Sequence, residues 1–154
     1  MTLDELLARE AIRATIARYT NAGDNADYED LVPCYAEDGV FEFSVGRWEG
    51  RQAIGDALRS LAKARGHGAA DMLQRHHLGT CHIVIEDADN ARATTYFMVI
   101  SEIGPDHAGR YIDRLVRRDS EWLFAHRYVA VEWINPDSRV ARAGVTVTTA
   151  RADR

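Results

Sequence analysis

Two side chains in this sequence have the types and positions to move a proton. Asp24 closes the polar stretch Asn21-Ala22-Gly23-Asp24, and His77 lies in the stretch Arg75 to Glu86, RHHLGTCHIVIE. A carboxylate that accepts a bond from one imidazole nitrogen fixes the tautomer, and the other nitrogen can then take a proton from carbon beside an activating group. Loss of a β leaving group gives elimination, and return of the proton elsewhere gives isomerisation. Neither needs a metal or an organic cofactor, and none is expected. Alternation along a strand sends His77, Gly79, Cys81, Ile83 and Ile85 to one face and His76, Leu78, Thr80, His82, Val84 and Glu86 to the other. His77 is then the one titratable group on an apolar face. That fits a base in a buried pocket, and it also fits a hydrogen-bonded core histidine. Asp24 taken alone reads as a helix-end residue. The same parity separates His77 from His76 and His82, so the three cannot converge on one ion without a bulge, and no metal site is expected.

Other chemistries lack their motifs. There is no GxSxG elbow, no GxGxxG or other Gly-rich phosphate loop, and no HExxH. The net charge of -5 would repel a phosphate backbone, which excludes nucleic acid as a partner. Met1 to Glu10 has no apolar core of a secretory signal, and no run approaches the ~18 apolar residues of a membrane span. Cys34 and Cys81 lack CxxC spacing and read as buried thiols of a reducing compartment, the cytoplasm.

The elements that must position Asp24 and His77 follow from periodicity. Thr2 and Glu5 have capping-box spacing, and Leu3, Leu7, Ile12, Ile16 and Tyr19 keep to one stripe, which predicts a helix over 3–22 ended by Gly23 in the left-handed conformation. A short helix over 27–35 starts at Asp27 and is limited by Pro33. Ala36 to Gly39 reads as a turn, Val40 to Val45 as a strand, and Gly46 to Gly50 as a turn carrying Trp48. Ile54, Ala57, Leu58 and Leu61 predict a third helix over 51–64, followed by a loop from Arg65 to Asp71. Strands follow over 75–86, 91–103, 109–118 and 121–134, with a turn at Gly104 to Ala108. This is an α+β arrangement with helices on one side of a strongly bent, mainly antiparallel sheet. Residues 1–135 make one domain, and 136–154 form a tail with one strand-like patch, Val145 to Thr149.

Tyr19-Thr-Asn-Ala-Gly-Asp24, Tyr35-Ala-Glu-Asp-Gly-Val-Phe41, Trp48-Glu-Gly50, His77-Leu-Gly79, Gly109-Arg-Tyr111 and Trp122 together resemble the SnoaL-like superfamily, cone-shaped proteins of the nuclear transport factor 2-like, cystatin-like fold. The resemblance covers about residues 3 to 134. It implies a curved mixed sheet whose concave side is covered by the three N-terminal helices. It also implies a catalytic pair matching Asp24 and His77, as in the dehydratase and dehydrochlorinase branch. The His-x-Gly spacing selects His77, whereas the His-x-x-Gly spacing of scytalone dehydratase would select His76. Tyr19 matches a tyrosine of the bile acid dehydratase, and Phe43 stands where both dehydratases carry a pocket tyrosine.

The expected activity is that of a small cofactor-independent lyase or isomerase, of dehydratase or cyclase type, acting on a hydrophobic cyclic molecule. Tyr19, Phe41, Phe43, Trp48 and Tyr111 would line its pocket, with Arg114 as an inward cation, although each also fits a structural role. The resemblance further implies a homodimer. The rival reading is a non-catalytic binding or structural subunit, similar to the small subunit of ring-hydroxylating dioxygenases. A third reading is an epoxide hydrolase, which would need an Asp-Arg-Asp set that the sequence does not mark.

Overall fold

A computed structural model describes residues 1–66 and 73–148. The chain forms α1 (Leu3–Asp24), α2 (Tyr28–Leu31), a 3-10 turn (Val32–Cys34), β1 (Tyr35–Phe43), β2 (Gly46–Glu49), α3 (Arg51–Arg65), β3 (Gln74–Ile85), β4 (Asn90–Ser101), β5 (Gly104–Arg118), β6 (Glu121–Ile134) and α4 (Arg139–Arg142). The strands make one curved, unclosed sheet in the order β2-β1-β6-β5-β4-β3, antiparallel except for the parallel β1–β6 pair. The expected α+β class holds, and the N-terminal helices pack on the face where Ile83, Ala93, Phe97, Tyr111, Phe124 and Val129 are buried.

Helix α1 starts as expected, with the Thr2 hydroxyl accepting from the Glu5 N–H and the Glu5 carboxylate accepting from the Thr2 N–H. It runs on to Asp24, because Gly23 stays helical and Ala26 supplies the positive φ of 55°. Asp24 is therefore the last residue of the helix and does not lie beyond it. After Leu31 the chain tightens into the 3-10 turn at Pro33, whose ring removes a donor. The segment Ala36 to Gly39, expected to turn, lies within β1 as an irregular stretch between Tyr35 and Val40, both of which pair parallel with β6. Gly39 is there for close approach, since a Cβ at that position would lie 2.8 Å from the Phe124 carbonyl oxygen. The expected turn at 46–50 is largely the short strand β2, with Trp48 opposite Phe41. The expected turn at 104–108 is likewise the start of β5, because the β4–β5 hairpin reverses at residues 102–103. The expected loop Arg65 to Asp71 lies mostly outside the described residues, as does Thr149. Residues 145–148 form no strand, although the Thr148 N–H donates to the Val131 carbonyl. No helix among the described residues is long and apolar enough to cross a membrane.

Two polar knots sit inside the fold. Asp113 on β5 and Arg127 on β6 are fully buried and meet side-on, at 2.8 Å for Nε to Oδ1 and 2.7 Å for Nη2 to Oδ2. The guanidinium packs against the rings of Phe124, Tyr111 and Tyr19 at 3.9, 4.1 and 4.2 Å. Burial opposes its charge, but Asp113 outweighs this and holds its pKa above the ordinary value. The second knot is Asp106, whose carboxylate accepts from His107 Nδ1 at 2.6 Å and from the hydroxyls of Ser138 at 2.6 Å and Ser101 at 2.8 Å. It binds the start of β5 to the end of β4 and to the tail. Burial alone would raise the Asp106 carboxyl, but the bonds from His107, Ser138 and Ser101 bring it down to about 2. Burial lowers the pKa of His107 and outweighs the opposing bond to Asp106.

Replacing Asp113 by Leu strands the Arg127 charge and should cost about 3–5 kcal/mol, read as a lower urea midpoint. The pair Asp113→Leu with Arg127→Met should recover most of that loss; a single variant within ~1 kcal/mol of the parent would contradict the argument. Because the unfolded chain binds a proton at Asp106 that the folded chain refuses, stability from this group is full above about pH 4 and falls toward about pH 2. His107 acts at higher pH: its lowered folded pKa makes acidification below the ordinary imidazole value of ~6.5 destabilising. Urea midpoints measured from pH 7 to 2.5 should therefore fall, and Asp106→Asn should flatten the segment between 4 and 2.5.

Candidate functional site

The strand that carries the histidines is not regular. Leu78 pairs with Phe97 but Cys81 pairs with Thr95, so three steps on β3 match two on β4 and one extra residue bulges at Gly79–Thr80. The bulge reverses the alternation. Gln74, His76 and Leu78 share the inner face with Cys81, Ile83 and Ile85, while His77 and His82 are exposed on the outer face. The expected partner of Asp24 is thus corrected: Asp24 meets His76, and His77 points away from it. Strict parity from the Ile83 end fails because it counts through the bulge.

Asp24 holds His76 twice. Its Oδ2 accepts from the His76 backbone N–H at 3.0 Å, and its Oδ1 accepts from the ring Nδ1 at 2.6 Å. The carboxylate cannot donate, so Nδ1 carries a proton, and in the neutral ring Nε2 is then the nitrogen with the lone pair. Burial would raise the Asp24 carboxyl; the bonds from His76, together with nearby Arg75, outweigh this and lower it. A carboxylate at the last residue of a helix faces the negative end of the dipole, which costs about 0.3–1 kcal/mol at such sites. Helix packing does not call for an acid there, whereas the His76 pair offsets it.

His76 faces a cavity of about 90 Å³ under the helices. A second imidazole, His107, faces the same cavity, its ring centre 6.4 Å from that of His76 at an interplanar angle of 90°. It too is held through Nδ1 by an aspartate, Asp106. Phe97 packs against both, 6.2 Å from His76 and 6.0 Å from His107, so that the three ring centres form a near-equilateral triangle, and it stacks on Tyr111 at 4.6 Å. Helix α1 supplies Tyr19, α2 supplies Tyr28 and Leu31, and α3 supplies Leu58, Leu61 and Arg65; Val145 of the tail closes one side.

Of the residues expected at the pocket, Tyr19, Phe41, Phe43 and Tyr111 line the cavity. Trp48 does not; it stacks on Phe41 with 5.7 Å between ring centres. Arg114 does not either, being exposed on the outer face beside Arg92 and His126. His107 and Arg65 were not expected. The dipeptide Asp106-His107 was a visible signal, hidden by assigning 104–108 to a turn, while Arg65 fell in an expected loop. Among the described residues no group of three His, Cys, Asp or Glu side chains could hold a metal ion.

Comparison with known proteins agrees with this architecture. A protein provisionally named a scytalone dehydratase from Novosphingobium aromaticivorans is similar over 99% of this chain and 100% of its own, at 21% identity and a TM-score of 0.80. Rv3472 of Mycobacterium tuberculosis, of unknown function, is 28% identical over 96% of this chain and 82% of its own, with a TM-score of 0.70. Hexachlorocyclohexane dehydrochlorinase LinA-type3 from Novosphingobium barchaimii is 18% identical over 87% of this chain and 92% of its own, with a TM-score of 0.75. No curated protein matches the chain by sequence. The model of the SnoaL-like domain matches residues 4–128, and the chain belongs to that family.

Proposed function

We propose that the protein is a cofactor-independent lyase or isomerase in which His76 is the base and Asp24 its orienting partner. The observation that carries this reading is an aspartate-held imidazole on an apolar cavity, with its free nitrogen unspent. In an elimination, His76 Nε2 takes the proton from carbon beside a carbonyl, and the electron pair forms the new double bond as the β C–O bond breaks. The imidazolium, stabilised by Asp24, gives that proton to the departing oxygen, so that water leaves and His76 returns to its neutral form. His107 is kept neutral by burial, and its Nε2 accepts a hydrogen bond from the substrate hydroxyl and orients it. Return of the proton to a different carbon would give isomerisation with the same groups.

The cavity also limits the substrate. At about 90 Å³ it is smaller than the ~150 Å³ apolar cavity that takes benzene, which favours a substrate no larger than a single ring. The similar structures that bear a dehydratase or dehydrochlorinase name support a lyase, and the choice of residues rests on the geometry alone.

The test is turnover of monocyclic β-hydroxy and β-halo carbonyl compounds, followed by the absorbance of the conjugated product. His76→Ala should lose ~10²–10⁴ in rate, and Asp24→Asn should lose a large part of the same factor. His77→Ala should stay within about threefold of the parent. Loss with His77→Ala and not with His76→Ala would overturn the assignment.

A further inference from the structure

The cavity holds a charge that the proton-transfer pair does not use. Arg65, in the last turn of α3, lines the cavity that His76 and His107 face. Its Nε donates to the Leu61 carbonyl at 3.2 Å, which explains why an arginine suits a helix end. Its terminal nitrogens meet no carboxylate among the described residues. The two acids nearest the cavity are already committed: Asp24 to His76 and Asp106 to His107, Ser101 and Ser138. No Asp or Glu is among the described residues that line the cavity, whose walls are otherwise largely apolar and aromatic. Burial disfavours the guanidinium charge enough to lower its pKa, with the nearby tyrosines Tyr28, Tyr19 and Tyr111 and, more weakly, the Asp106 carboxylate opposing without a hydrogen bond. A cation that is partly desolvated and unpaired is costly unless a ligand brings the opposite charge.

We propose that Arg65 is a specificity-determining residue that binds a carboxylate on the substrate ring, so that the substrate class is a small cyclic carboxylic acid. The planar fork of a guanidinium matches a carboxylate with two parallel hydrogen bonds, a geometry that an amide or ketone oxygen cannot satisfy. With the carboxylate at Arg65, the ring lies against Phe97 and Tyr111 and presents its carbons to the imidazoles. This inference rests on the proposed use of the cavity as a substrate site.

The test reads binding without turnover, by isothermal titration of the full chain at pH 8, where ordinary imidazoles are neutral. The probes are benzoate against benzamide, and cyclopropanecarboxylate against its amide, the second pair keeping ring size from deciding the result. The parent should prefer each acid by about tenfold or more. Arg65→Gln should bring each ratio to within about twofold, and Arg65→Lys should retain part of the preference. Equal affinity for acid and amide in the parent, or no binding by either, overturns the inference, as does a ratio unchanged in Arg65→Gln. His76→Ala should keep the preference for acids. That preference with unimpaired turnover in His76→Ala would remove the proton-transfer reading and leave this one standing.

Discussion

The site depends on one carboxylate. Asp24 ends α1 where the helix dipole disfavours a negative charge, and both of its oxygens are taken by a single residue of β3. The bond to the backbone N–H fixes where the strand passes under the helix, and the bond to the ring fixes how the imidazole is turned. Two bonds from one rigid group to one residue leave the ring little rotational freedom, which is what a base positioned in advance requires. The bulge at Gly79–Thr80 serves the same end, because it allows His76 and Ile83 to face inward on one strand.

Beneath that pair the fold is unusually polar for a core and unusually well matched. Arg127 and Asp113 neutralise one another between Tyr19, Tyr111 and Phe124, and two of those rings also form cavity wall. The Tyr19 hydroxyl lies within reach of both Arg127 and the Tyr35 hydroxyl in this layer, although burying the Arg127 charge still carries a desolvation cost. Ring faces against the guanidinium offset some of it. A floor of this kind is rigid, and the aromatic wall above it keeps its shape. The rest of the wall is built differently, from side chains of α3, among them the charged Arg65, and from the tail.

Much of this was legible in the sequence. The capping box of α1, the apolar stripe of α3 and the alternation of β4 to β6 each follow from local rules, and the order of elements then leaves only a helix-covered bent sheet. Asp24 was legible as well, as an acid at a helix end, and Tyr19, Phe41, Phe43 and Tyr111 as pocket aromatics. For the histidine, the His-x-x-Gly spacing offered His76 but strand parity chose His77, and parity failed because it holds only along an unbroken ladder. One inserted residue at Gly79–Thr80 exchanges the faces of His76 and His77, and nothing local to RHHLGTCH marks a bulge except a glycine. His107 was hidden by Gly104 and Pro105, which read as a turn and are strand because the hairpin reverses two residues earlier. Val145 reaches the cavity through tertiary packing of the tail, which has no periodicity to reveal it.

The central claim is that Asp24 fixes the ring of His76 with a proton on Nδ1 and a free lone pair on Nε2. Long-range ¹H–¹⁵N correlation spectra of the histidine rings test it directly. His76 should be found as the Nδ1–H tautomer with a strongly downfield Nδ1 proton, lost in Asp24→Ala and kept in His77→Ala. A His76 ring in the Nε2–H tautomer, or an Nδ1 proton indifferent to Asp24→Ala, would contradict it.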